Sequence, residues 1–525
     1  MDYVVIGAGS AGSVITRRLI DAGHRVCLLE AGGDDNSFLV QAPMGYAVTL
    51  PTKINNWAFE TVPQVGLNGR RGYQPRGKVL GGSSSINAMI YTRGHAADYD
   101  DWAAFGNAGW SWQEVLPYFK RAENNQNFGG SMHGQDGPLH VESPKNASPF
   151  NDYFFEAAAI NQHPLNPDFN GESQEGVGMY QTTTKDGQRF SAAKGYLYDI
   201  LKHPNLKLIT KAHSRKLLFE GKKCVGVEYH HQGTVKEVKA ELEVICCAGA
   251  FGTPQLLQLS GIGPAALLQK HGIEVVHDLP GVGQNLQDHP DYIAAYKANT
   301  TDLMGYSIKG FAKMIREVWR YKTKKSGLFA STVAESGGFL KTDPALDRPD
   351  LQLHFVSGIA DNHNRTSHWG HGFSCHVCVL RPQSVGSVEI ASSDPMQAPL
   401  IDPALLAHDD DMATLIKGYK IQQQIMQSPP LAQHVTEVLY KPHLSNDGDI
   451  EEEIRNRADT VYHPVGTAKM GTDTMAVVSP KDLCVYGIEG LRVADASIMP
   501  TLIGGNTNAP TIMIGEKASD MILGK

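Results

Sequence analysis

The first thirty residues constrain the fold more than any other stretch. Asp2-Tyr3-Val4-Val5-Ile6 is an apolar strand that runs straight into Gly7-Ala8-Gly9-Ser10-Ala11-Gly12, and Glu30 follows eighteen residues after the last glycine. Between them Ala11, Val14, Ile15, Leu19 and Ala22 mark one face of a helix, and Arg25 to Glu30 reads as a second strand. A strand, G-x-G-x-x-G, a helix and an acid at the end of the next strand form the dinucleotide-binding fingerprint. Each part has a task. Gly7 permits the tight turn, Gly9 lets backbone approach a pyrophosphate, and Gly12 lets helix and strand pack closely. The helix N-terminus offers free N–H groups to phosphates, and Glu30 can accept a ribose hydroxyl. This βαβ unit needs a continuing parallel sheet, so an α/β fold follows.

At 525 residues the chain exceeds one ordinary domain. A net charge of −8 provides no basic field, which argues against nucleic acid as a partner. Seven cysteines, an odd number set largely in apolar runs, argue against a disulfide framework. No basic leader precedes Asp2 and no run reaches the ~18 apolar residues of a membrane helix. The expected location is therefore cytoplasmic, or peripheral on the inner face of the membrane.

Further along, Pro75 to Asn87 (PRGKVLGGSSSIN) places adjacent glycines before three serines, a run of unhindered N–H groups that suits an anion or a flat ring. Leu206 to Thr210 and Lys223 to Tyr229 alternate like hairpin strands, and Leu242 to Ala250 reads as a buried strand ending in small residues. A helix is expected over Pro254 to Gly261. From about Pro290 to Asp459 the composition shifts to aromatics, histidines and alternating strands, and Gly490 to Asp495 reads as one more core strand. The expected architecture is α/β, α+β overall: a Rossmann-like domain over 1–150, 195–290 and 460–525, including a loop over 70–95, interleaved with an antiparallel-sheet substrate domain over 151–194 and 291–459.

Four separated segments resemble one family, the glucose–methanol–choline (GMC) oxidoreductases, which bind FAD. They are the N-terminal fingerprint, Gly81 to Gly94, Gly249 to Pro264, and the C-terminal pair of motifs Tyr462-His463-Pro464-Val465-Gly466-Thr467 and Gly504-Gly505-Asn506-Thr507-Asn508-Ala509-Pro510-Thr511. Gly281 to Pro290 (GVGQNLQDHP) is a further similar loop. In detail the chain resembles the bacterial branch of choline, alcohol and sorbose dehydrogenases.

The resemblance implies that Gly7, Gly9, Ser10, Ala11, Gly12, Glu30 and Ala31 hold the ADP part of FAD. Val79, Gly81, Gly82, Ser83, Asn87, Ala88 and Met89 would lie along the isoalloxazine and pyrophosphate. Ser214 would contact adenine, while Trp57, Ala248, Asp495, Ala496, Asn508, Ala509 and Thr511 would complete the cradle; for Trp57 a buried core position is the alternative. Ile86 stands where some relatives attach FAD through a histidine, so non-covalent FAD is implied.

An imidazole suits a base that takes an alcohol proton because its pKa of ~6.5 lies near working pH. His463 and Asn508 are implied as base and alkoxide-orienting carboxamide. Asn508 is also expected near the cap of a helix over Ala509 to Ile522. The implied reaction oxidises a small-molecule alcohol by hydride transfer to flavin, with a quinone, another carrier or oxygen as acceptor. An alcohol oxidase, a hydroxynitrile-lyase-type enzyme and a nicotinamide-linked dehydrogenase are the alternatives.

Two further features of the chain invite function. His363, His368, His371, Cys375, His376 and Cys378 invite a metal site, but strand alternation would put the two cysteines on opposite faces, and no metal is expected. Ile308, Phe311, Ala312, Ile315 and Trp319 form a helical stripe accompanied by Lys309, Lys313, Arg316, Arg320, Lys322, Lys324 and Lys325. Such a helix is either an ordinary element with a solvated basic face or a contact for anionic lipid.

Overall fold

The computed structural model describes residues 1–440 and 446–525; within the helix over 308–324, the side chains of residues 308, 309, 311 and 312 also lie outside the described residues. Two sheets organise it. The first is parallel and five-stranded, in the order Leu206–Ile209, Val26–Leu29, Tyr3–Ile6, Glu243–Cys246, Leu491–Val493. Its three central strands are apolar on both faces, as helices on either side require, and Val4, Val5, Val26, Leu28, Val244 and Ile245 are wholly enclosed. The chain returns to this sheet from three distant segments.

Leu206–Ile209 corrects the hairpin expectation. It pairs in parallel with Val26–Leu29 at the sheet edge. An edge strand is only partly covered, which produces the same alternation of apolar and polar residues as a hairpin strand. Lys223–His231 does sit in an antiparallel sheet, between His213–Glu220 and Thr234–Lys239. The helix expected from Pro254 begins five residues earlier and spans Gly249–Leu259, its first turn held by Asp495, whose Oδ2 accepts from Gly249 N (2.8 Å) and Thr253 Oγ1 (2.6 Å).

The second sheet is antiparallel and eight-stranded, with Val435–Val438, Pro290–Ala298, Gly370–Val379, Leu351–Val356, Ser336–Leu340 and Gly176–Met179 in line, and Gly305–Tyr306 and Asp459–Thr460 on its flanks. In Leu351–Val356 the residues Leu351, Leu353 and Phe355 enter the core, so Gln352 and His354 point to the other face. That face looks onto the cavity between the sheets.

Candidate active site

The cradle at the N-terminus is built from close backbone contacts. Gly7 has φ +93°, and a Cβ there would meet the Cys247 carbonyl oxygen at 2.4 Å; at Gly12 it would meet the Gly7 carbonyl oxygen at 1.9 Å. Gly9 differs: a Cβ there would meet nothing within 4 Å, because it faces open cavity. Gly82, with φ +55°, brings the serine loop to within 2.8 Å of Gly9 Cα, measured from its own built Cβ. Glu30 closes the turn by accepting from Ala8 N (3.0 Å) and Gly32 N (2.7 Å), and burial pushes its carboxyl up to about 7.

One continuous cavity runs from this cradle to the antiparallel sheet. Its wall includes Gly7, Gly9, Ser10, Ala11, Glu30, Ala31, Trp57, Gly82, Ser83, Asn87, Ala88, Met89, Ser214, Ala248, His463, Asp495, Ala496, Asn508 and Thr511. Gly12, Val79, Gly81 and Ala509 are not on that wall. Gly12 packs helix to strand, Val79 bridges to Gly33, Gly81 donates its N–H to Ala8 O (2.8 Å), and Ala509 is buried in the helix Asn508–Leu523. Trp57 is half-buried at the wall with Lys78 Nζ 4.1 Å from its ring centroid, which rules out a plain core position. Among the described residues four buried polar atoms of wall residues make no hydrogen bond within the chain: Ser214 Oγ, His213 Nδ1 and Arg76 Nε, and His354 Nδ1 on the antiparallel sheet. Orphaned polar atoms of this kind call for a ligand or water. Spread along a cavity that opens at Gly9, they fit an extended dinucleotide.

At the other end the imidazoles of His463, His289 and His354 gather. His463 Nδ1 lies 3.0 Å from His289 Nδ1, and His289 Nε2 lies 3.1 Å from the Leu380 carbonyl oxygen. A carbonyl only accepts, so His289 carries its proton on Nε2. Burial lowers His289 to about 3, and burial with its neighbours His289 and His354 holds His463 well below the ordinary histidine value, so both rings are neutral. The bare Nδ1 of His289 must then accept from His463 Nδ1–H. The free lone pair of His463 is on Nε2, a tautomer assigned from the hydrogen-bond network.

That lone pair faces Asn506 Nδ2 at 3.1 Å. The carboxamide is oriented because its Oδ1 accepts from Gln352 Nε2 (3.0 Å) and Thr92 Oγ1 (3.2 Å), leaving the NH2 for His463. The expected pairing of His463 with Asn508 is therefore corrected. Asn508 Oδ1 instead accepts from Ser10 Oγ (2.7 Å), and Asn508 is the first residue of its helix, with Thr507 at the cap position. The two asparagines are two residues apart, and where the helix starts decides which one meets the histidine.

Sequence reading also passed over His289, His354 and Gln352. The last two had a readable signal, the period-two alternation of Leu351 to Val356. His289 had none beyond its place in Gly281 to Pro290. The histidine and cysteine group over 363–378 disperses. His363 bonds Tyr462 and Asp459, His368 bonds Asp361, His371 bonds Ser307 and Leu303, and His376 bonds Asp291. Cys375 belongs to the substrate-side core cluster and Cys378 to another.

Comparison with known proteins agrees with this architecture. Two family models described as GMC oxidoreductase match residues 1–291 and 382–515. An alcohol dehydrogenase [acceptor] of Pseudomonas putida is 47% identical over 100% of this chain and 96% of its own length. An oxygen-dependent choline dehydrogenase of Brucella ovis is 40% identical with the same coverage of both chains. The solved structure of pyridoxine 4-oxidase from Mesorbium loti superposes with a TM-score of 0.90 at 29% identity, covering 100% of this chain and 99% of that one. The chain belongs to the GMC oxidoreductase family.

Proposed function

We propose that, as a GMC oxidoreductase, this chain oxidises the CH–OH carbon of a small-molecule alcohol, with His463 as the base and Asn506 as the carboxamide that holds the oxygen. The observation that carries this reading is the lone pair of His463 Nε2 facing the Asn506 amide at 3.1 Å inside a buried cavity. FAD, bound without a covalent link, supplies the hydride acceptor. The wall from Gly7 to Ala31, with Ser214, would hold its ADP part. Asn87 to Met89 and the N-terminus of the helix Asn508–Leu523 would border the flavin, where a helix dipole favours negative charge.

A substrate hydroxyl entering between the two side chains would replace their mutual bond with two new ones. It would give its proton to His463 Nε2, and its oxygen would accept from Asn506 Nδ2. His463 is poised for this because burial keeps it neutral and His289 fixes its tautomer. Asn506 is anchored on two donors, so it meets an oxyanion without first reorganising. The substrate-side wall contains Met304, Val333, Ala334, Val356 and Ile359. Such a wall, mostly aliphatic beside Tyr46 and Tyr462, suits an alcohol with a hydrocarbon chain more than choline, whose ammonium favours a surround of aromatic faces. Resemblance to the alcohol dehydrogenase [acceptor] favours an electron carrier over oxygen as the second substrate.

The test is anaerobic mixing of the yellow holoenzyme with aliphatic alcohols, choline and a sugar polyol. Loss of flavin absorbance with an aliphatic alcohol, restored faster by a quinone analogue than by air, is expected. Unchanged colour with release of an aldehyde from a cyanohydrin would contradict it.

A further inference from the structure

The helix Ile308–Lys324 is turned the wrong way for an ordinary surface helix. Its buried face includes Glu317 and Tyr321, 3% and 1% exposed, while Ile315 and Trp319 on the other side are 60% and 64% exposed. Glu317 Oε2 is occupied inside by Leu328 N (3.0 Å). An amphipathic helix normally buries its large apolar residues, so this face lacks a partner. Just before the helix Tyr306 is 60% exposed, and it bridges to Trp369, which is 70% exposed.

Charge says what the partner is. Residues 306–325 contain seven lysines and arginines against one acid, Glu317, in a chain whose net charge is −8. Arg316 and Arg320, beside Ile315 and Trp319 in sequence, are largely exposed; their nearest acid is the buried Glu317, at 3.7 and 3.9 Å. Lys322, Lys324 and Lys325 are exposed beyond them. Tryptophan, tyrosine and isoleucine among lysines and arginines is the chemistry of a bilayer interface carrying anionic headgroups. Met304 and Ile359 of the cavity wall lie in the same part of the fold: Met304 N donates to Ser357 O, and Met304 is two residues from Tyr306.

We infer that this helix, with Tyr306 and Trp369, docks the protein onto an anionic lipid surface and holds the substrate end of the cavity close to it. The inference stands apart from the proposed reaction, because it needs neither His463 nor Asn506.

The test is co-sedimentation of the FAD-loaded full chain with vesicles of phosphatidylglycerol and phosphatidylcholine in equal parts, or of phosphatidylcholine alone. Wild type is expected to partition about tenfold more strongly onto the anionic vesicles. Ile315→Ser with Trp319→Ser, and Arg316→Glu with Arg320→Glu, should each lower that partition about tenfold. Flavin content and alcohol oxidation with a soluble dye should be unchanged in both, which shows that the variants fold. Equal binding by wild type and variants would overturn the inference. So would no binding to either vesicle, or retention on an immobilised acidic protein in place of lipid.

Discussion

The two ends of the cavity are made by different means. The cradle end is backbone: Gly7, Gly12 and Gly82 are there because a Cβ would strike a main chain, and much of it comes from the single segment over residues 7–31. The reactive end is side chains: His289, His354, His463 and Asn506 come from four separate segments and meet only in the fold. The two constructions differ in how far their residues are fixed by local sequence. A backbone site shows itself as glycine wherever main chains press together, while a side-chain site depends on register and helix phase elsewhere.

The largest expected effect separates binding from folding at the cradle. Gly9→Val should give a folded but largely colourless protein, because its side chain enters open cavity where a pyrophosphate would lie. Gly12→Val should instead lose the fold, since its Cβ meets the Gly7 carbonyl oxygen at 1.9 Å. Far-ultraviolet circular dichroism and bound flavin, measured together, distinguish them. Full FAD occupancy in Gly9→Val would show that the pyrophosphate does not lie against Gly9.

At the reactive end the asparagines give the next contrast. Asn506→Ala should lower the rate of flavin reduction by alcohol roughly 10²-fold, the usual effect of removing an oxyanion donor. Asn508→Ala should cost less than about tenfold, because it loses only the Ser10 bond and helix-terminal order. The reverse ranking in stopped-flow reduction would restore the Asn508 assignment.

These contrasts locate what could be read from the chain. Tyr3 to Glu30 announced a parallel sheet because strand, turn, helix and acid are local, each fixed within thirty residues. Leu206–Ile209 misled because partial burial at a sheet edge leaves the same alternation as a hairpin. The contrast between the two asparagines has a similar root. The motif Asn506-Thr507-Asn508 is explicit in sequence, but the phase of the turn before the helix is set by Thr92 and Gln352, more than 150 residues away. His289 could not be found from periodicity, since it lies at the end of a loop and acts through Leu380.

A smaller effect is expected among the imidazoles. His289→Phe removes the acceptor for His463 Nδ1–H. A neutral hydrogen bond contributes about 1 kcal/mol, so reduction should slow roughly five- to tenfold, with flavin still bound. The acid limb of the pH profile should shift as well, since it reports the base.

The smallest effect is on stability. His289 and His354 are each lowered to about 3, and His463 is lowered well below its ordinary value. With folded pKa values below the unfolded ~6.5, the unfolded state binds more protons as pH falls. The stability is therefore complete above ~6.5 and drains away between there and about 3. His354→Gln should flatten this acid loss by about 1.4 kcal/mol per pH unit, read from denaturation midpoints between pH 6 and pH 4. An unchanged slope would show that His354 is not held neutral.

The most direct measurement concerns His463. His463→Ala, purified with its flavin, should bind an aliphatic alcohol in anaerobic stopped-flow mixing yet reduce the flavin ~10²- to 10⁴-fold more slowly than wild type. Reduction within about tenfold of wild type would contradict the central claim that the Nε2 lone pair opposite Asn506 takes the hydroxyl proton.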